Sequence, residues 1–296
     1  MRQAISPLQT AFNNDALADM HTLNHGLPAS KRIASRQPLV IGHRGYCAVA
    51  PENTLPSFKL ALEAGADLVE LDYRHSQDGI PVVFHDETLD RTTDARKKWK
   101  RRRIKVAEKT AAEIRSLDAG SWFDATFAGT KVPLLTEALD LICDRGGVAL
   151  IEHKSGDAES CVGLLRKRNR IDQVVVISFD WACLHALHKL EPNLALGALG
   201  PPARLVDGRK PSGLLRSLSA RWLDELAKTG AKAAVWNRHV SARAIRLAHK
   251  RGLKVWVYTV NTSRLAQRLV GIGADAIITN RTSLIRQTLE RRRAAR

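Results

Sequence analysis

The sequence predicts an α/β fold, a parallel (β/α)8 barrel of the TIM type with a small insertion after the strand that precedes His85. Three observations predict it. Short apolar runs alternate with helix-length segments along most of the chain, the pattern of strand–helix units that build a parallel sheet. The chain has 296 residues, 44% of them hydrophobic, and one barrel of this kind takes about 250 residues. Histidines, carboxylates and cations recur at the ends of the apolar runs, and in such a barrel the strand C-termini converge on one mouth.

Residues 1–37 are polar and mixed and read as an N-terminal extension, with Asp15 to Leu23 as a short helix. They hold no apolar stretch of the secretory kind, so no leader peptide is expected. The barrel domain spans 38–290. Its strands are short apolar runs bounded by turn signals. In order they are Leu39–Ile41, Leu68–Tyr73, Val82–Phe84, Val148–Glu152, Val174–Ser178, Ala195–Ala198, Ala233–Trp236, Val255–Thr259 and Ala276–Thr279. Helices are expected over Thr54–Ala64, Thr136–Asp144, Ala158–Arg168, Trp181–Leu190, Ser217–Lys228, Ala242–Lys250 and Ser263–Val270. Gly65, Gly146, Gly230, Gly252 and Gly271 stand where helix stops belong. That makes nine strand-like runs where eight are needed. The Val82 run follows Asp78-Gly79 with no room for a helix, so its connection is irregular.

The stretch from His85 to Val148 carries no strong strand. It reads as an insertion over about residues 87–132, with a helical segment at Glu108–Leu117. Its basic run, Lys97-Lys98-Trp99-Lys100-Arg101-Arg102-Arg103, reads first as a solvated loop and second as an anion or membrane contact. Arg291-Arg292-Arg293, in a basic tail over 291–296, reads as a charged helix end.

Formal net charge is +17 with a pI near 10.2. Such a balance favours acidic partners: phosphate substrates, anionic membrane surfaces or nucleic acid. Aromatics are only 5% and no cation-plus-aromatic recognition motif is present, so nucleic acid is not expected. Cys47, Cys143, Cys161 and Cys183 are widely spaced. That argues against a zinc site or a disulfide framework and fits a reducing cytoplasm. No run of about 18 apolar residues exists to span a membrane.

Glu70 and Asp72 lie two apart in a strand, so they share a face. Two unpaired buried carboxylates are very costly; they need a cation, a proton or basic partners, with Arg44 or a lysine as the purely structural answer. Glu152, from another strand end, offers a third oxygen. Oxygen-only ligation selects a hard cation such as Mg²⁺, Ca²⁺ or Mn²⁺. His43 alone reads as a structural residue. With His85, which Asp86 follows, it makes an acid/base pair suited to a phosphorus centre. Arg44 can fork two phosphate oxygens, and Lys154 shares the face of Glu152. His75, His153, His185, His188, His239 and His249 lack such company. Cys47 lies near His43 without a base or an orienting group, and neither a G-x-S-x-G elbow nor a phosphate-binding glycine loop occurs.

These residues resemble one family. His43-Arg44-Gly45 followed by Pro51-Glu52-Asn53-Thr54 is similar to the opening signature of the glycerophosphodiester phosphodiesterases. The likeness continues through Glu70-Leu71-Asp72, Val83-Phe84-His85-Asp86, Leu89-Asp90-Arg91-Thr92-Thr93, Glu152-His153-Lys154 and Val255-Trp256-Val257-Tyr258-Thr259, to Gly273-Ala274-Asp275 and Ile277-Ile278-Thr279-Asn280. The resemblance implies a TIM-type barrel that hydrolyses glycerophosphodiesters to glycerol 3-phosphate and an alcohol, through a cyclic phosphate opened by water. It maps the acid/base pair onto His43 and His85 and the metal ligands onto Glu70, Asp72 and Glu152. It places Arg44, Lys154, Trp256 and Glu52 on the substrate, Trp256 as a substrate-side aromatic. Two departures stand out. Asn280 occupies a position where the family usually has aspartate, and the basic run replaces a glycine-rich segment.

The expected protein is a cytoplasmic, metal-dependent phosphodiesterase acting on a small soluble substrate with one divalent hard cation, with possible contact to an anionic membrane. Two alternatives are a lysophospholipase D or sphingomyelinase D-like enzyme at a membrane surface, and an inactive anion-binding barrel.

Overall fold

The computed structural model describes residues 27–212 and 216–295; the helix expected over Asp15–Leu23 lies outside them. Among the described residues the strands are β1 (Leu39–Gly42), β2 (Leu68–His75), β3 (Pro81–Val83), β4 (Ala149–His153), β5 (Val174–Ser178), β6 (Ala195–Gly200), β7 (Ala233–Asn237), β8 (Lys254–Tyr258) and β9 (Ala276–Thr279). They pair in the order β1-β9-β8-β7-β6-β5-β4-β2-β3. A further parallel pairing of β1 with β2, Ile41 opposite Leu68, closes the ring. Eight strands are therefore parallel staves of one barrel.

The ninth is not a stave. β3 runs antiparallel along the far end of β2, with Tyr73 opposite Val83 and His75 opposite Pro81. The cause lies in the short link: Gly79, at φ 74°, turns the chain in too few residues for a crossover, and so short a link can join only antiparallel strands. The insertion thus begins one strand earlier than the sequence suggests, and His85 rides on it. Inside it, part of the basic run is helical: α3 below covers Ala95–Trp99, and Lys100 and Arg103 then take left-handed φ values of 50° and 55°.

Each barrel helix follows its stave. The helices are α1 (Ala29–Ile33), α2 (Leu55–Glu63), α3 (Ala95–Trp99), α4 (Ala111–Arg115), α5 (Leu135–Cys143), α6 (Ala158–Lys167), α7 (Trp181–Leu190), α8 (Ala220–Ala227), α9 (Ala242–Lys250), α10 (Ser263–Gly271) and α11 (Thr282–Ala294). Polar N-caps fix several starts: Asp157, Asp180, Ser219 and Ser241 each accept a backbone N–H of the first turn. Gly65, Gly146, Gly230 and Gly252 turn left-handed behind their helices, as expected, but Gly271 is still helical and Gly273, at φ 107°, takes that part after α10. Arg291–Arg293 close α11.

Strand alternation sorts the core into two layers. Ile41, Leu68, Leu150, Val175, Ile177, Val235, Trp256 and Ile278 fill the barrel interior. Val40, Val69, Ile151, Val176, Ala234, Val255 and Ile277 pack outward under the helices. Ala29 and Ile33 of α1, within the stretch read as an extension, join the interior layer. Arg32 holds α1 there by donating to the carbonyls of Asp67 and Gly146. The insertion has a core of its own, built from Val82, Phe84, Leu89, Ile104, Val106, Ile114, Leu117 and Val132.

Candidate active site

The C-terminal ends of the staves deliver the chemistry. β1 hands over to His43 and Arg44 through a sharp turn, with Arg44 at φ 53° and Gly45 at φ 82°. A Cβ on Gly45 would stand 2.2 Å from Ser57 Oγ, so the turn admits only glycine. Glu70 and Asp72 point inward from β2. Glu152 sits directly across from Asp72 on β4. One oxygen from each of Glu70, Asp72 and Glu152 lies within 4.8 Å of the others, and Glu70 and Asp72 are buried.

Two cations answer these three carboxylates. Lys154 Nζ lies 2.5 Å from Glu152 Oε1 and 3.2 Å from Asp72 Oδ1. Arg44 Nε faces Asp72 Oδ2 at 3.4 Å, and the Arg44 backbone N–H donates to Glu70 Oε2 at 2.6 Å. Asn53 donates to Asp72 Oδ2 at 2.8 Å and takes the Asp72 N–H at 3.1 Å. The balance is uneven. Burial, then the charges of Asp72 and Glu152, lift the Glu70 carboxyl well above its usual range. Burial and Asp72 push Glu152 up to about 7. Burial would raise Asp72 as well, but Lys154 and Arg44 outweigh it and hold Asp72 at about 2. Fully ionised, the three carboxylates outnumber the two cations, and Arg44 also serves Glu52 at 2.8 Å. Buried oxygens with surplus negative charge and no sulfur or imidazole among them suit a hard divalent cation.

Both histidines lie within the field of Asp72, and their partners are unlike. The His43 Nδ1–H donates to Asn280 Oδ1, a neutral acceptor, at 2.7 Å. Burial, then Arg44, lower its pKa to about 4. The His85 Nδ1–H donates to the Asp86 carboxylate at 2.6 Å. His85 itself is pinned by Phe84, whose N–H donates to the Asp72 carbonyl at 3.0 Å, and by Arg74 Nε, which donates to the His85 carbonyl at 2.9 Å. Arg91 grips Asp86 through Nε at 2.6 Å and Nη2 at 3.1 Å. The same guanidinium grips Glu52 at 3.0 and 2.7 Å.

The mouth thus gathers His43, Arg44, Glu52, Glu70, Asp72, His85, Glu152 and Lys154. Trp256 is fully buried in the interior layer, with no surface open to solvent. The aromatic two residues on, Tyr258, is half-buried beside Phe179, edge to face at 6.3 Å, with its hydroxyl donating to the Gly200 carbonyl at 3.0 Å. Period-two alternation puts both aromatics on one face and leaves depth along the barrel undetermined. Sequence reasoning gave no role to Asp86, Arg91, Asn53 or Asn280. The first three sit inside the motif stretches, and Asn280 is the departure at the end of β9. His75 and His153 pack edge to face on Tyr73, away from this constellation.

The model of the glycerophosphoryl diester phosphodiesterase family matches residues 43–284. The chain belongs to that family. A glycerophosphodiester phosphodiesterase of Caldanaerobacter subterraneus subsp. tengcongensis is 33% identical over 248 residues, covering 82% of this chain and 93% of that one. One from Bacillus subtilis is 31% identical, covering 82% and 83%. Among solved structures, an Oleispira antarctica phosphodiesterase in complex with the product sn-glycerol-3-phosphate superposes with a TM-score of 0.74 at 27% identity, over 87% of this chain and 99% of that one. The barrel is the shared fold, and the family is one of phosphoric diester hydrolases. No described helix is long and apolar enough to cross a membrane.

Proposed function

We propose that the protein hydrolyses glycerophosphodiesters to sn-glycerol 3-phosphate and an alcohol, with His43 as the first base and His85 as the first acid. One observation carries the assignment: the two histidines, both within the field of Asp72, have unlike partners. A neutral amide oxygen behind His43 fixes the tautomer with a bare Nε2 and gives little support to a positive ring. Burial lowers the His85 pKa as well, but the Asp86 carboxylate behind it opposes that and favours the imidazolium, a support that His43 lacks. His43 Nε2 takes the proton of the glycerol hydroxyl next to the phosphate, and that oxygen attacks phosphorus. The bond to the alcohol breaks, and the departing alkoxide takes the His85 proton. The cyclic phosphate then opens in reverse: His85 draws a proton from water, the water oxygen attacks, and the released ring oxygen takes the proton from His43.

Glu70, Asp72 and Glu152 fit one hard divalent cation, Mg²⁺, Ca²⁺ or Mn²⁺, on the charge surplus described above. When bound, it supplies stabilisation of the charge that develops on the phosphoryl oxygens. Lys154 adds a second positive charge. Arg44, tied to Glu52 through Nη1, keeps Nη2 for a phosphate oxygen. Trp256 supports the floor beneath Tyr258 in this reading. The domain reading goes with it: a barrel over 38–290, an insertion that the sequence put at about 87–132 and that β3 brings forward to Pro81, and flanking segments at 1–37 and 291–296. A cytoplasmic location, favoured by the unpaired cysteine spacing, belongs to the same proposal.

A second reading has a specific observation behind it. Among the described residues, two of the three exposed large apolar side chains, Ile80 and Trp122, lie in sequence on either side of the basic run. A lysolipid substrate at an anionic membrane is the reading they favour. The deciding experiment measures phosphate-product release from glycerophosphocholine and from lysophosphatidylcholine, with and without EDTA. Turnover of the first substrate that chelation abolishes supports the main reading; preference for the second moves the protein to the alternative. His43→Ala and His85→Ala should each lower kcat by about 100-fold or more. Near wild-type kcat in both variants would end the two-histidine mechanism.

A further inference from the structure

We propose that Arg91 is a positioning residue that locks the insertion-borne acid, His85, onto the barrel. The inference rests on the acid role of His85 proposed above. The barrel itself holds His43, Arg44 and the three carboxylates, whereas His85 and Asp86 belong to the insertion. Arg74 holds the His85 backbone from β2 and Arg115 ties the insertion to Glu137 of α5, but the guanidinium that joins the two bodies through the side-chain partner of His85 is Arg91. It makes a two-pronged contact with Asp86 at 2.6 and 3.1 Å and another with Glu52, on the loop after β1, at 3.0 and 2.7 Å. Glu52 in turn holds Arg44 at 2.8 Å, and Asp86 holds His85 at 2.6 Å. An unbroken ion chain runs from Arg44 through Glu52, Arg91 and Asp86 to His85.

Both forks matter because a planar guanidinium fixes direction as well as distance. The Asp86 side chain is 26% exposed, so without Arg91 it can turn to water and release the His85 ring. All of Arg91's contacts are to protein carboxylates, which leaves it no part in binding phosphate. Its side chain is 46% exposed, so its removal leaves the folded cores intact. A misplaced acid affects most the substrate whose leaving group most needs a proton, and a shift of about 1 Å can lower a rate by about 100-fold.

The test compares wild type, Arg91→Ala, Arg91→Lys and His85→Ala, on glycerophosphocholine and on a nitrophenyl glycerophosphodiester whose leaving group departs without a proton. The rate read is alcohol release in a single turnover, because the ring opening that follows needs His85 as base on either substrate. On that rate Arg91→Ala should lose about 30-fold or more with glycerophosphocholine and less than about threefold with the nitrophenyl substrate. KM should rise by a smaller factor, through Glu52 and Arg44. Arg91→Lys, with the charge but not the double fork, should fall between the two. Guanidinium at tens of millimolar should restore part of the loss in Arg91→Ala and none in His85→Ala. If His85→Ala shows no dependence on leaving group, the acid assignment fails and the role of Arg91 goes with it. If His85→Ala shows that dependence while Arg91→Ala matches wild type, or loses equally on both substrates, the Arg91 inference alone is overturned.

Discussion

Replacing Asn280 by aspartate should move one limb of the pH–rate profile and leave the other in place. The Asn280 Oδ1 accepts the His43 Nδ1–H at 2.7 Å. Asn280→Asp keeps the acceptor and adds a full negative charge beside the ring. Two unit charges about 4 Å apart interact by roughly 4 kcal/mol at an effective dielectric of about 20, which is an upper bound of about 3 pKa units. Arg44 and the mouth carboxylates already set the local field, so we expect a rise of about one to two units. His43 starts at about 4, held there by burial and by Arg44, and should reach roughly 5 to 6. The base works when neutral, so activity is lost as pH falls through its pKa. The acid limb of kcat/KM must therefore move upward by the same one to two units. The alkaline limb, set by His85 and its unchanged partner Asp86, should stay. The assay is kcat/KM on glycerophosphocholine from pH 4 to 9 with the divalent cation saturating throughout, so that Glu70 and Glu152 stay ionised. An unmoved acid limb in an active, folded variant would show that His43 is not the group whose deprotonation limits the rate at low pH.

Three further outcomes follow from the geometry. Burial and neighbouring charge raise Glu152 to about 7 and Glu70 upward without a cation. A carboxyl raised in the folded state contributes stability below its unfolded pKa and loses it as pH rises through the folded one. Metal-free protein should therefore lose a few kcal/mol between about pH 4.5 and 7, and a divalent cation should raise Tm far more at pH 8 than at pH 5; a Tm gain equal at both would refute the ligand set. Lys97, Lys100 and Arg102 are exposed, and basic residues near an anionic bilayer each contribute about 1 kcal/mol. Reversing these three charges should weaken sedimentation with phosphatidylglycerol vesicles by more than about 100-fold and leave turnover of soluble glycerophosphodiesters unchanged; equal sedimentation returns the run to a solvated face. Phe58→Ala, in a fully buried position between α2 and the staves, should lower the urea-unfolding free energy by about 3 to 5 kcal/mol, and a loss under 1 kcal/mol would mean that the core there collapses freely.

What the sequence made legible is what local pattern encodes. Apolar runs ending in His43, Glu152 or Lys154 mark stave ends, because a parallel stave is buried on both faces and its polar residues appear only where it stops. The shared face of Glu70 and Asp72 follows from period two. Other features depend on partners far along the chain. Asn280 meets His43 across 237 residues, and nothing near either residue announces the contact. The fork of Arg91 on Glu52 spans 39 residues and joins two bodies whose docking is tertiary. β3 has the composition of a stave, and only the shortness of its link to β2 tells it apart. Trp256 and Tyr258 alternate in step, so composition and period place both inward, while the tilt and stagger of the staves decide which is floor and which is wall.

The insertion has a core of its own, and we expect it to open as a cooperative unit separate from the barrel. The eight staves share one closed ladder of backbone bonds. The insertion is fastened by β3, by the Val83 N–H on the Pro133 carbonyl, by the Phe84 N–H on Asp72, by Arg74 on the His85 carbonyl, by Arg115 on Glu137 and by Arg91. Amide hydrogen exchange should register that difference, with the insertion exchanging together at a lower opening free energy than the barrel. Such an excursion carries off His85, Asp86 and Arg91 at once. Glu70, Asp72, Glu152, Arg44 and Lys154 stay with the staves. A chain caught in that state, or nicked by trypsin within Lys97–Arg103 while open, should therefore keep its affinity for a phosphate anion and lose its turnover.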